Sequence, residues 1–242
     1  MKRLNVKTIN QSIKMAKNSD YFNRLNKLYN TIPQGKCGEC AKCCTESVHT
    51  YFVEFLNIWN FLQENKILMD QLLPKIVRFY FLELVRNTHC PFLNDDHNCS
   101  IYSFRPMVCR SFGHWSQEEY EEGYRNVLRD NKQSAKLFKN SYGVKLPEEV
   151  VNRKIEYCDS FEVHKRIVRA QRQTLADSLL NMESGFFMRG LITEEYMNTG
   201  LVSWFIYTLM DMDEAGERRV QIMKEYLDGG YSETLEGIVE KL

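Results

Sequence analysis

The apolar and polar positions of this chain alternate with a helical period along most of its length. From Val6 to Tyr29 the residues Ile9, Ile13, Met15, Tyr21, Leu25 and Leu28 recur at a loose helical spacing, which predicts an amphipathic helix. Pro33 and Gly35 end it. Two more helices are predicted over Tyr51–Gln63 and Leu68–Arg86, with Pro74 early in the second marking its first turn. Ile76–Val85 is nearly all apolar, so a buried strand is the alternative there. Ser116 followed three residues later by Glu119 is a capping-box pattern that opens a helix running towards Phe138. Further helices are expected over Glu148–Tyr157 and over Phe161–Leu180, where Phe161, Val168, Leu175 and Leu179 share a face. Others start at Thr193 and at Asp213 or Glu214, the latter stopped by Gly229-Gly230, and Ser232–Leu242 reads as a short tail helix. The fold class expected is mostly α, a single helical domain built around a cysteine-rich loop region.

Two stretches break this pattern. Lys36–Glu46 is polar, small and dense in cysteine. Thr88–Ser111 has no apolar stripe and carries Pro91, Asn94, Asp95, Asp96, Asn98 and Pro106, which are turn residues. They set the expected organisation: an N-terminal helical segment over 1–34, a cysteine-cluster core over 35–114, and a helical C-terminal region over 115–242 packed on that core.

Composition narrows the chemistry. A chain of 242 residues buries a core large enough to fold without disulfides. Its 32 basic and 32 acidic side chains cancel, so no overall field draws it to nucleic acid. The start lacks the apolar block of a secretory signal. The most apolar late stretch, Leu201–Met212, falls short of the roughly 20 residues that span a bilayer. The expectation is a cytoplasmic protein with no membrane contact. In that compartment the eight cysteines are reduced, and metal binding or catalysis explains them better than a disulfide framework.

Cys37, Cys40, Cys43 and Cys44 lie within eight residues. Two-residue gaps let successive thiolates curl around one ion or cluster, and Gly38 and Ala41 suit the tight path. Cys90, Cys99 and Cys109 follow at longer gaps, as in a loop wrapped over a site begun elsewhere. Seven thiolates exceed one tetrahedral ion, so two metal sites or one site with spectator thiols are required. Cys158 stands apart; it is either a free thiol behaving as a small hydrophobe or the eighth ligand of a second set of four. Tyr102, Arg105 and Arg110 lie within the ligand loop, where the guanidinium groups would offset thiolate charge, or Arg105 would pin the loop through a carboxylate. Tyr102 also reads simply as a packed aromatic. His89, His97 and His114 neighbour cysteines and are candidate ligands, whereas His164 reads as structural. Neighbouring residues point their side chains in different directions, so Cys43 and Cys44 favour a bulky 4Fe–4S cluster over zinc, with zinc the alternative. No Walker loop and no dinucleotide-binding glycine motif is present.

The two motifs, CxxCxxCC and then CPFLxxxxxCxIYxxRPxxCR, together resemble the bacterial cysteine-cluster proteins described as zinc- or iron-chelating domains (the YkgJ type). The resemblance spans Gly35 to Gly113 and implies a metal-chelating core. Flagellin lysine N-methylases carry a related cysteine cluster. That relation implies a protein lysine as substrate and S-adenosylmethionine as methyl donor. The competing reading is a zinc-stabilised module without catalysis, whose helical C-terminal half binds a protein partner or a second subunit.

Overall fold

The computed structural model describes residues 4–242. It contains eleven α-helices and three isolated β-bridges, with no extended strand among the described residues. The helices are α1 (Val6–Asn18), α2 (Tyr21–Asn30), α3 (Phe52–Glu64), α4 (Lys66–Leu82), α5 (Met107–Ser111), α6 (Gln117–Tyr142), α7 (Glu148–Val151), α8 (Arg169–Phe187), α9 (Leu201–Leu209), α10 (Met212–Gly229) and α11 (Glu233–Val239). The protein is mostly α.

Helix α3 is apolar on all sides, and every residue from Phe52 to Trp59 is buried. A helix of that kind belongs in the interior. It packs against α1, α2, α8 and α4, and α4 in turn packs against α9, α10 and α11. Aromatic rings fill the centre: Phe55 stacks on Trp204 at 5.5 Å, and Phe52 meets Phe186 edge-on at 5.1 Å. One continuous apolar cluster runs from Leu4 to Leu235.

Local signals that need only neighbouring residues appear where expected. Ser116 Oγ accepts the Glu119 N–H at 3.2 Å and Glu119 accepts the Ser116 N–H at 3.0 Å, so the capping box opens α6. Gly230, at φ 71°, stops α10. Several other expectations are corrected. The predicted helix from Val6 is two helices, broken where Asp20 takes φ 58°. Pro74 lies inside α4 rather than in its first turn, and Ile76–Leu82 is helix rather than strand. The helix predicted over Glu148–Tyr157 stops at Val151. The helix predicted from Phe161 starts only at Arg169 and runs on to Phe187, and Val168 is exposed. Thr193 opens a single 3-10 turn, and α9 forms from the apolar stretch after Gly200. No helix among the described residues is long and apolar enough to cross a membrane.

Glu183, on α8, is buried and accepts the Phe52 N–H at 2.8 Å. Burial pushes its carboxyl up to about 8. A carboxyl raised on folding binds its proton more tightly in the native state, so its stabilisation is complete below the unfolded value near 4.3 and is lost as pH rises through 8. We expect stability to fall by about 2 kcal/mol from pH 6 to pH 8. Urea melts of wild type and Glu183→Gln check this, because the variant should lose most of that slope.

Candidate metal centre

The first cysteine segment is a tight, non-helical loop. Cys44 N–H closes a turn on the Ala41 carbonyl at 2.9 Å. Glu39 and Ala41 adopt φ 51° and 56°, the left-handed region that non-glycine residues rarely enter. Such strain persists where the surroundings over-determine the backbone, and it concentrates at functional sites. The second segment is tied to the first by its backbone, since the Cys90 N–H donates to the Cys44 carbonyl at 2.7 Å. A narrow two-stranded turn then brings Cys99 back beside Leu93. Cys109 follows on the short α5.

The placement of α5 depends on a carboxylate that the sequence reading did not single out. Glu54, buried in α3, accepts the Met107 N–H at 2.7 Å, the Tyr29 hydroxyl at 2.5 Å and the Tyr51 N–H at 3.1 Å. Met107 is the first residue of α5, so Glu54 fixes the helix that carries Cys109. Burial raises the Glu54 carboxyl, with the three donors opposing. The signal in the sequence was one acid within the apolar run Phe52–Trp59.

All eight cysteines are free thiols. Cys43 and Cys44 sulfurs lie 3.9 Å apart, the one sulfur–sulfur contact among the described residues. Their side chains therefore converge, contrary to the expectation that neighbours diverge. The hydrogen bond with Cys44, then burial, raises the Cys43 thiol. Burial pushes Cys90 up to about 12, with Cys99 and Cys43 adding. Cys109 is open to solvent yet ringed by protein; this desolvation, then the sulfurs of Cys90, Cys99 and Cys43, raises it. Burial also raises Cys99, and Cys37 faces it. Thiols that raise one another in this way sit within electrostatic reach. A bound cation reverses the effect by replacing their protons. Among the described residues no three donor side chains already stand in the shell of one ion.

Cys158 is the candidate eighth ligand. It lies in segment 152–168, which is loop rather than helix. Burial, then Cys43, raises its thiol, with Cys37 and Cys40 contributing. The segment crosses the cysteine loop as a strap. Lys36 and Glu162 exchange backbone hydrogen bonds of 2.8 and 3.2 Å. The Phe161 ring sits against Gly35 and Gly113 so closely that a Cβ at either would lie 2.1 or 2.4 Å from it. Arg153 reaches Glu46 and the Thr45 carbonyl, Lys42 pairs with Glu156 at 2.9 Å, and Arg166 donates to the Gly113 and Trp115 carbonyls. The Ser160 hydroxyl lies 4.0 Å from the Cys40 sulfur.

The remaining candidates divide. Arg105 lies 3.7 Å over the Tyr102 ring and donates to the Tyr102 carbonyl at 2.9 Å; its charge also favours the thiolates of Cys43 and Cys99. No carboxylate pairs with Arg105 among the described residues. Arg110 donates to the carbonyls of Arg105 and Ser103 and covers the Tyr29 ring at 4.1 Å, so it binds the loop together. His114 is buried and accepts the Ile167 N–H at 3.3 Å, packing the strap. His89 and His97 face each other at 5.7 Å. His49 meets Tyr51 edge-on at 4.8 Å. The donor set, rich in thiols and poor in nearby carboxylates, fits a thiophilic metal such as zinc or iron.

Residues 36–127 match the family model CxxCxxCC, described as "Putative zinc- or iron-chelating domain". Seven of the eight cysteines fall inside the match and Cys158 falls outside it. No curated protein and no solved structure matches the chain.

Proposed function

Taking residues 36–127 as a zinc- or iron-chelating domain, we propose that this protein holds an iron–sulfur centre on thiolates drawn from three segments, with Cys158 of the strap as its eighth thiol. The observation that carries this reading is the convergence of three cysteine-bearing segments: the Cys43 and Cys44 sulfurs lie 3.9 Å apart, the Cys90 N–H donates to the Cys44 carbonyl at 2.7 Å, and the strap that carries Cys158 exchanges backbone hydrogen bonds with Lys36 beside Cys37. Two sets of four thiolates match the needs of two cubane clusters. The Arg105 guanidinium lies where it lowers the cost of the thiolate charge. When bound, such a cluster would supply one-electron chemistry or structural support. The chain's own residues hold the thiols in place, Glu54 through α5 and Phe161 through the strap.

Zinc is the second reading, and a specific distance favours it. Zinc–sulfur bonds of about 2.3 Å place two ligands of a tetrahedron about 3.8 Å apart, and Cys43 and Cys44 stand at 3.9 Å. Metal and acid-labile sulfide analysis of protein purified without oxygen separates the two. The iron–sulfur reading expects brown protein with iron and sulfide in equal amounts. Colourless protein with stoichiometric zinc and no sulfide would replace it. The methyl-transfer expectation gains no residue from the fold.

A further inference from the structure

We infer that the cavity beside Cys90 is a binding site for a small multivalent anion, a molecule carrying a phosphoryl group or paired carboxylates. The cavity encloses about 480 Å³ between α4 and the chain that follows it. That volume lies in the range of small-molecule sites. Lys75 and Arg78 of α4 line it, together with Arg86, His89 and His97 from the connecting segment. Against these five nitrogen-bearing groups the lining offers one carboxylate, Asp95.

Two of the three lysine and arginine side chains lack an ion pair among the described residues. Arg78 is neutralised by a two-pronged pair with Glu236. Lys75 has no acidic partner among the described residues. Arg86 has none either: its single hydrogen bond is to the Tyr226 hydroxyl at 3.4 Å, and the Tyr226 ring lies 5.5 Å from the guanidinium carbon. Its Nε is buried without any partner. A buried N–H without an acceptor is costly, and an anion that reached it would satisfy it. Arginine's fork of N–H groups suits a phosphoryl or carboxylate oxygen pair. The two imidazoles, 5.7 Å apart, each add at least one N–H at any charge state.

The backbone holds this arrangement. Asn94 accepts the N–H groups of Asp96 and Asn98 at 3.1 and 2.8 Å, and His97 takes φ 64°, which fixes the direction of its side chain. Phe79, Pro91 and Leu93 supply an apolar wall for the body of a ligand. Cys90 belongs to the lining as well, so a bound anion would sit directly beside the thiol cluster. The inference needs no metal and stands whichever metal the thiols hold.

Calorimetric titration of the full-length protein with inorganic phosphate and with citrate, at ionic strength fixed by potassium chloride, tests it. Saturable one-to-one binding is expected for at least one of them. Phosphate alone would assign a phosphoryl ligand, and citrate alone a polycarboxylate. Arg86→Gln and Lys75→Gln should each weaken binding about tenfold, the loss typical of one charge-assisted hydrogen bond. Lys136→Gln, on the exposed face of α6, should leave it unchanged. Lys75 is exposed, so its variant keeps the test intact if Arg86→Gln fails to fold. The inference is overturned if neither anion binds saturably, or if Lys75→Gln binds as tightly as wild type.

Discussion

Phe161→Ala should lower the unfolding free energy by about 2–3 kcal/mol and release segment 152–168 from the cysteine loop. Deleting a large, fully buried ring typically costs about 3–5 kcal/mol, and Phe161 is only half-buried, so a loss just below that range is expected. The consequence is local because the ring is a clasp. It presses on Gly35 before the first cysteines and on Gly113 after the last of the second group. The two backbone hydrogen bonds between Lys36 and Glu162 adjoin it. Without the ring, those bonds and the Arg166 contacts face water and hold the strap less firmly. Hydrogen exchange followed by mass spectrometry should show faster exchange over 152–168, with α3 and α9 unchanged. Gly113→Ala should produce the same pattern, since its methyl group occupies the ring's position. Wild-type exchange over 152–168 in both variants would show that the ring holds nothing in place.

Glu54→Ala should be more damaging, at about 4 kcal/mol. The substitution strands two buried donors, the Tyr29 hydroxyl and the Met107 N–H, and the half-buried Tyr51 N–H. Each stranded buried group costs about 1–3 kcal/mol. Partial collapse of the site reduces the sum. The loss should not stay within stability. Met107 begins the helix of Cys109, so bound metal should fall together with the urea midpoint. Glu54→Gln keeps an acceptor at one oxygen and should fall between the two. A loss under about 1 kcal/mol in Glu54→Ala, with full metal content, would remove Glu54 from this role.

How much of this was legible in the sequence follows the range of the forces involved. Ser116 with Glu119, and Gly230 after α10, act over one helical turn and read correctly. The thiol motifs read correctly as a pattern because their gaps are local, and the family match covers them. The strap did not. Leu175 and Leu179 are buried on α8 as their spacing predicts, but Phe161 and Val168 extend that spacing only by coincidence; Val168 is exposed, and Phe161 is claimed by two glycines distant in sequence. A long-range contact of this kind overrides local periodicity and leaves no trace in it. The same holds for Cys158, whose nearness to Cys37, Cys40 and Cys43 comes from the strap rather than from any spacing. The divergence expected of Cys43 and Cys44 failed because the turn closed by Cys44 on Ala41 rotates the two side chains to one side. Glu54 was visible only as an acid out of place in an apolar helix. Its partners come from α2 and from the start of α5, which no local pattern joins.

The central claim is that the thiols of Cys37 to Cys44, Cys90 to Cys109 and Cys158 ligate a metal. X-ray absorption at the edge of the metal that accompanies protein purified without oxygen tests it most directly. The account predicts a first shell of sulfur alone, at about 2.3 Å for zinc, with stoichiometric metal lost on removal of Cys109. A first shell of nitrogen and oxygen, or the same sulfur shell after Cys109 and Cys158 are both replaced by serine, would contradict it.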